Sequence, residues 1–230
     1  MKSKFYESDY EEALIDLLQE QGWEYTHGGN IHRNNRDVLL KDDMTVYLKR
    51  RYNELTDEDI ENIYNHLRHT SGQTHFELLR NSYYMARDGY RYTRHSDGKR
   101  FDIEYLDFEP ENENNIYRCV NQFEVGYGQK TDVRIPDVML FVNGIPLCIF
   151  ELKNPTDFNA TIADAYEQIH TRYMRDIPHL LRYCPLSCIS DATVNNTKLG
   201  TTYTPYEHYY AWKKVNNEDP AAQRGIDQVK

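Results

Sequence analysis

Arg134-Ile-Pro-Asp137-Val-Met-Leu-Phe-Val-Asn143-Gly144-Ile-Pro-Leu-Cys-Ile-Phe-Glu151-Leu-Lys153-Asn-Pro155 is the stretch that decides how this chain folds. Two apolar runs flank Asn143-Gly144, the strongest short-range signal for a tight hairpin turn. The polar residues sit at the outer ends: Asp137 where the first run begins, Glu151 and Lys153 where the second stops. Folding at the turn brings those ends together. Two carboxylates and an ammonium then share one corner of a sheet. Such a set can hold a divalent metal against a phosphodiester and activate a water.

Strand parity sets a condition on that site. A two-residue turn pairs Val142 with Ile145, and so Asp137 with Phe150. Directly opposed residues share a face and neighbours along a strand alternate, so Glu151 and Lys153 would turn away from Asp137. An odd step is required: a three-residue turn pairing Val142 with Pro146, or a bulge in one arm. Pro146 has no amide hydrogen, which favours an irregularity there. The expectation is a G1-type bulge or odd-length loop between Val142 and Leu147, with Gly144 at positive φ.

Asp-x13-Glu-x-Lys on a hairpin resembles the PD-(D/E)xK nuclease superfamily. The surrounding words are narrower. Val120-Asn-Gln-Phe-Glu-Val125, the Pro136–Leu147 stretch and Phe150-Glu-Leu-Lys-Asn-Pro155 resemble the N-terminal nuclease domain of the R subunit of type I restriction-modification enzymes, from about Tyr10 to Trp212. The resemblance implies an α/β fold with a restriction-endonuclease-like core, a mixed β-sheet flanked by helices and an N-terminal helical segment. It implies a Mg²⁺-dependent endodeoxyribonuclease acting on double-stranded DNA. The full subunit would continue into an ATP-driven translocase and assemble with specificity and methylation subunits. Residues 1–215 would form the nuclease domain and 216–230 a linker toward the motor. ATP would serve only that motor, since this chain has no Gly-x-x-x-x-Gly-Lys-[Ser/Thr] loop. Two alternatives remain at this level: a repair- or resolvase-type nuclease on the same scaffold, and a non-catalytic docking domain.

Within that reading Asp137 and Glu151 are the metal ligands, hard oxygens of the type Mg²⁺ accepts. The Phe150 or Leu152 carbonyl could add another oxygen. Lys153 shares a strand face with Glu151 and could orient the attacking water. Glu11 has two readings: a glutamate on the first helix that faces the metal site, as the family often has, or a capping-box partner of Ser8. Glu12 is its rival for the first role. The family also carries Gln-x-x-x-Tyr on the helix after the lysine. Here Gln168 and Tyr173 are one residue further apart. On a 3.6-residue helix Tyr173 would turn about 100° away, so Gln168 keeps the supporting role and Tyr173 reads as core.

The rest of the chain reads as α/β. Ser8-Asp-Tyr-Glu11 opens a first helix with Tyr10, Leu14, Leu17, Leu18 and Gln21 on one face. Trp23 to Asp43 is polar and irregular. Thr56 and Thr74 open two further helices, the second stopped at Gly89. Tyr90 to Leu106 reads as a hairpin and Tyr117 to Val125 as a strand. Asn159 or Thr161 caps a helix bearing Ile162, Tyr166, Ile169 and Tyr173. Pro185 to Ser190 is a strand, Thr193 to Thr204 a polar hairpin or loop, and Tyr206 to Val215 an aromatic helix.

Length and charge bound the function. A chain of 230 residues can build one large core. No apolar run reaches the ~20 residues of a membrane helix, and the first residues lack a signal peptide's apolar stretch. The four cysteines show no paired spacing, so they read as reduced, buried and cytoplasmic rather than zinc ligands. The net charge of −10 opposes unaided DNA binding. DNA is therefore expected to be presented by a motor or partner. Basic clusters at Arg33/Arg36, Lys49–Arg51, Arg91–Arg100 and Lys130/Arg134 read as solvated faces. The histidines, including His170, show no ligand spacing.

Overall fold

The computed structural model describes residues 7–154, 161–191, 193 and 196–211. The hairpin is its centre. Strand β7 (Val138–Val142) turns at Asn143-Gly144 into β8 (Ile145–Leu152). Asn143 (φ 51) and Gly144 (φ 79) are both left-handed, the requirement of a type I′ turn. Val142 therefore pairs with Ile145 across a two-residue turn. The expected odd step is a bulge further along: Phe141 faces Pro146 but Leu140 faces Cys148, leaving Leu147 as the extra residue. The irregularity lies beside Pro146 and Gly144 has positive φ. The bulge is not of the G1 type, because the glycine belongs to the turn.

Five more strands complete a mixed seven-stranded sheet. β1 (Glu24–His27) pairs parallel with β4 (Tyr117–Asn121), and β4 pairs antiparallel with β7. On the far side β8 pairs parallel with β9 (Leu186–Ser190), followed antiparallel by β10 (Lys198–Gly200) and β11 (Tyr210–Ala211). β2 (Tyr90–Thr93) and β3 (Arg100–Ile103) form a separate hairpin, as do the short β5 (Val125–Gly126) and β6 (Val133–Arg134). This is the expected α/β architecture with a helix-flanked mixed sheet.

Both faces of β7 and β8 are covered. Val138, Cys148 and Phe150, with Cys119 and Cys188, pack against α1 (Glu7–Glu20) through Ile15, Leu14 and Leu18. Met139, Phe141 and Ile149 join the main core, which includes Ile162, Ala165, Ile169 and Tyr173 from the helical column after β8. All four cysteines are free and buried. Burial pushes the Cys148, Cys184 and Cys188 thiols up. Among the described residues no helix is long and apolar enough to cross a membrane.

Local signals explain the next helices. Thr56 closes a capping box with Asp59 at the start of α3 (Asp57–Arg68). Thr74 accepts from the Glu77 amide to open α4 (His75–Asp88), and Gly89 (φ 66) ends it.

Several expectations need correction. Trp23 to Asp43 is not irregular throughout: it contains β1 and runs into α2 (Lys41–Arg51), which the sequence reading missed. The α2 N-cap is Leu40, which has no side-chain cap; its amide instead donates to the Gly144 carbonyl (2.8 Å). Docking on the hairpin turn replaces a local cap signal, and Met44, Tyr47 and Leu48 enter the core. In α1 the buried face is Leu14, Ile15 and Leu18, and Leu17 is 54% exposed. Tyr206 to Ala211 is not helical. After a 3₁₀ turn (Tyr206–His208), Tyr209 buries its ring and β11 pairs with β10. Asn159 and the tail from Trp212, including the 216–230 linker, lie outside the described residues; Thr161 is the N-cap of α5 (Ile162–Glu167).

Candidate active site at the open end of the hairpin

The bulge at Leu147 builds the site. Beyond it Val138 faces Phe150, so the register continued by one residue sets Asp137 opposite Glu151. Asp137 lies just outside the ladder, and its Oδ2 accepts from the Leu152 amide at 2.6 Å. Glu151 is fully buried. Parity puts it on the sheet face of Ile149, toward the main core. Lys153 lies on the same face, with Nζ 3.9 Å from Glu151 Oε2 and donating to the Leu152 carbonyl at 2.9 Å. Its own amide donates to the Ser190 carbonyl (2.8 Å), which pins the strand end to β9. The three hairpin residues are thus brought together.

Gln168 comes from the helical column after β8. Its Nε2 donates to Glu151 Oε2 (2.6 Å) and to Tyr173 Oη (2.8 Å). The second contact overturns the reading of Tyr173 as plain core. Residues Gln168–Tyr173 form a π-helical segment between α5 and α6 (Met174–Asp176). Its wider turn absorbs the extra residue, so positions five apart share a face. Tyr173 is buried in core and site at once, and its hydroxyl donates to the Ile135 carbonyl (3.3 Å). Burial, reinforced by the Glu151 charge, raises its pKa and keeps the phenol protonated. The signal was present in the sequence: a motif one residue too long. Deleting Thr171, an exposed member of the segment, should convert it to an ordinary α-helical turn that still pairs Gln168 with Tyr173. The expected thermal midpoint is equal to or above that of the intact chain, and a fall of several degrees would contradict this account of the segment.

Glu11 does not use the capping box. The helix begins at Glu7, ahead of Ser8. The Glu11 carboxylate accepts instead from Asn121 Nδ2 at 2.6 Å. Asn121 ends β4 and faces Val138, the neighbour of Asp137. Parity places Asn121 on the α1 side of the sheet, so Glu11 lies at the same end of the sheet but on the opposite face from Glu151. Gln122, next in the chain, is left-handed (φ 51) and turns the backbone out of the strand. His170 takes no part: it stacks on Tyr166 (3.9 Å) and contacts Tyr209 Oη (3.0 Å). Burial lowers its pKa to about 4, so the ring is neutral near pH 7.

Asp137 and Glu151 fit a hard divalent cation by donor chemistry. Among the described residues no group of three or more acidic, histidine or cysteine side chains gathers into a cage. Two carboxylates suit Mg²⁺, which keeps waters and phosphate oxygens in its shell, better than an all-protein cage would.

The sequence pattern of the family described as "Type I restriction enzyme R protein N terminus" matches residues 4–207. The chain belongs to this family. It is 30% identical to the "Type I restriction enzyme HindI endonuclease subunit" of Haemophilus influenzae, over 96% of this chain and 21% of that protein. It is also 30% identical to the "Putative type I restriction enzyme MjaIXP endonuclease subunit" of Methanocaldococcus jannaschii, over 94% of this chain and 21% of that protein. This R-protein N-terminal region therefore spans about a fifth of the length of the curated relatives it matches.

Proposed function

We propose that this R-protein N-terminal domain is a divalent-metal-dependent endodeoxyribonuclease that hydrolyses phosphodiester bonds of double-stranded DNA. One observation carries the reading: a bulged hairpin sets Asp137 opposite Glu151, with Lys153 on the Glu151 face. Asp137 and Glu151 would hold Mg²⁺. The ion, when bound, supplies charge neutralisation and a more acidic water. Gln168 fixes the Glu151 carboxylate, and Tyr173 fixes Gln168. The Lys153 ammonium is placed to orient the attacking water and to offset negative charge at the scissile phosphate. The family names of the relatives support action within a type I restriction complex. Specificity and methylation subunits and an ATP-driven motor would then bring DNA to a domain whose net charge of −10 disfavours capturing it alone.

The test is cleavage in the assembled enzyme with Mg²⁺ and ATP. Lys153→Ala is expected to abolish cleavage while ATP hydrolysis and translocation continue; because the 13% exposed side chain faces buried Glu151, the variant's melting temperature is measured alongside. Cleavage at the unmutated rate would remove the lysine from the mechanism.

The bulge gives a second test. Leu147 is the unpaired residue, and deleting it leaves a regular two-residue hairpin in which Val138 still faces Phe150. Divalent-ion affinity, read by calorimetry, should persist. Deleting Leu140 from the other arm shifts Asp137 to the wrong face and should eliminate it. Equal affinity in both deletions would refute the opposed-carboxylate site.

A further inference from the structure

We propose that the cavity between α3 and the end of the helical column is a seat for a DNA backbone phosphate, holding the duplex at a distance from the cutting site. This rests on the nuclease reading above and extends it to how the substrate is gripped. The cavity has a volume of about 130 Å³ and is lined by Arg36, Arg68, His179 and Arg182, with Asp37 its one acidic residue. Arg68 pairs with Asp37 (2.8 Å), which leaves the Arg36 and Arg182 guanidiniums to make it cationic in a chain of net charge −10. Two of its buried nitrogens, Arg182 Nε and His179 Nε2, have no hydrogen-bond partner among the described residues. A buried guanidinium donor left unmade is costly, so a site that keeps Arg182 Nε unpaired suits an oxygen-rich anion.

The arginines are held in place for this. Arg36 donates to the Gly128 carbonyl (2.6 Å), and Arg182 donates to the Thr70 carbonyl and stacks on Tyr183. Carbonyl anchoring fixes a guanidinium without cancelling its charge. Other basic residues conspicuous in the sequence are used differently. Arg51 pairs with Glu104 and Asp107, Arg94 with Asp59 and Asp97, Lys49 with Asp57, and Lys99 with Glu54. Arg33 lies over the Phe123 ring at 3.6 Å.

Continuity with the active site favours DNA over a free phosphate. Arg36 and His179 also border a neighbouring depression with Gly128 and Arg175. Arg175, paired with Asp176, in turn borders a third, with Gln168, Arg172, Asp164 and Glu167. The seat is thereby connected to the residue that holds Glu151. Gln168 and Arg182 are fourteen positions apart in the chain.

The experiment is duplex binding by fluorescence anisotropy across a KCl series, on the full chain. Arg36→Gln/Arg182→Gln is expected to weaken binding and to make the log–log salt slope shallower by about 1, one phosphate's worth. Arg80→Gln, an exposed arginine on α4, should leave the slope unchanged. If the double variant fails to fold, Arg68→Glu, whose side chain is half-exposed, should weaken duplex binding where Arg80→Glu does not. Identical binding in seat and control variants overturns the proposal. It is overturned too if millimolar inorganic phosphate raises the melting temperature through Arg36 and Arg182 while duplex binding ignores them. Calorimetric titration of Asp137 and Glu151 with Mn²⁺ reads the nuclease site separately. Its failure alongside a shallower slope would sink the nuclease reading and leave the seat standing.

Discussion

Glu151→Gln should lower DNA cleavage by well over 100-fold while leaving thermal stability in metal-free buffer unchanged or higher. The two halves of this result come from one fact: Glu151 is a fully buried carboxylate. Burying a charge costs several kcal/mol unless close partners offset it. Here the ammonium of Lys153 stands at 3.9 Å and the neutral amide of Gln168 at 2.6 Å. Neutralising a carboxylate kept for structure would destabilise the fold. A carboxylate kept for a cation has the opposite signature, since removing its charge relieves the apo protein. Glutamine preserves shape and can still bond Gln168 through its amide oxygen. The activity figure follows from rank. Partners of metal ligands typically cost about 10–100-fold when mutated, so Gln168→Ala belongs in that range and the ligand itself should exceed it. Addition of Mg²⁺ should raise the melting temperature of the parent and not of the variant. A variant that is less stable yet cleaves normally would reverse the assignment.

Much of this site was legible because its logic is parity. Asp137, Glu151 and Lys153 bracket a turn signal, and counting along the strands already demanded an odd residue between them. The location beside Pro146 followed from its missing amide hydrogen. Whether turn or bulge would supply it did not follow, since Asn143-Gly144 serves a type I′ turn equally well. Tyr173 was misread for a related reason. An ideal helical period sends it away from Gln168, and the one sign of a π segment in Gln168-Ile-His-Thr-Arg-Tyr173 is its surplus residue against the Gln-x-x-x-Tyr word. The hairpin and the helical column thus each carry one surplus residue, and each surplus is what aligns a pair at the candidate site. Helix α2 was illegible for a different cause. Its start is specified by a backbone contact from Leu40 to Gly144, roughly a hundred residues away, where local reading looks for a Ser, Thr or Asp cap. The short β11 was hidden likewise: the aromatics around Tyr209 look helical by composition, but the buried Tyr209 ring and pairing with Lys198 and Leu199 decide their form.

Gly144→Ala is expected to cost about 3 kcal/mol or more. Two penalties combine. At φ 79 an L-residue loses roughly 1–2 kcal/mol relative to glycine. The added Cβ would also lie 2.1 Å from the Leu40 carbonyl oxygen and 3.3 Å from the Met44 amide nitrogen, both backbone atoms that no rotamer change can move. The turn cannot simply shift. Asn143 beside it is fully buried, donates to the Tyr105 carbonyl and Asn115, and accepts from the Ile116 amide. Relief must therefore come from α2, whose first turn hangs on the Leu40–Gly144 bond. Denaturant unfolding should show the loss in the midpoint, and hydrogen exchange should show it first in the amides of Met44 to Leu48. The consequence reaches the far end of the hairpin. If the turn opens, the register beyond the Leu147 bulge loosens and Asp137 no longer faces Glu151, so metal affinity should fall together with stability. Gly98, also left-handed (φ 72) but with open space around its Cβ position, is the control. Its alanine variant should lose only the conformational part, about 1–2 kcal/mol, with metal affinity intact. Equal losses at the two glycines would mean that the Leu40 contact contributes nothing, and that α2 is held by its apolar face alone.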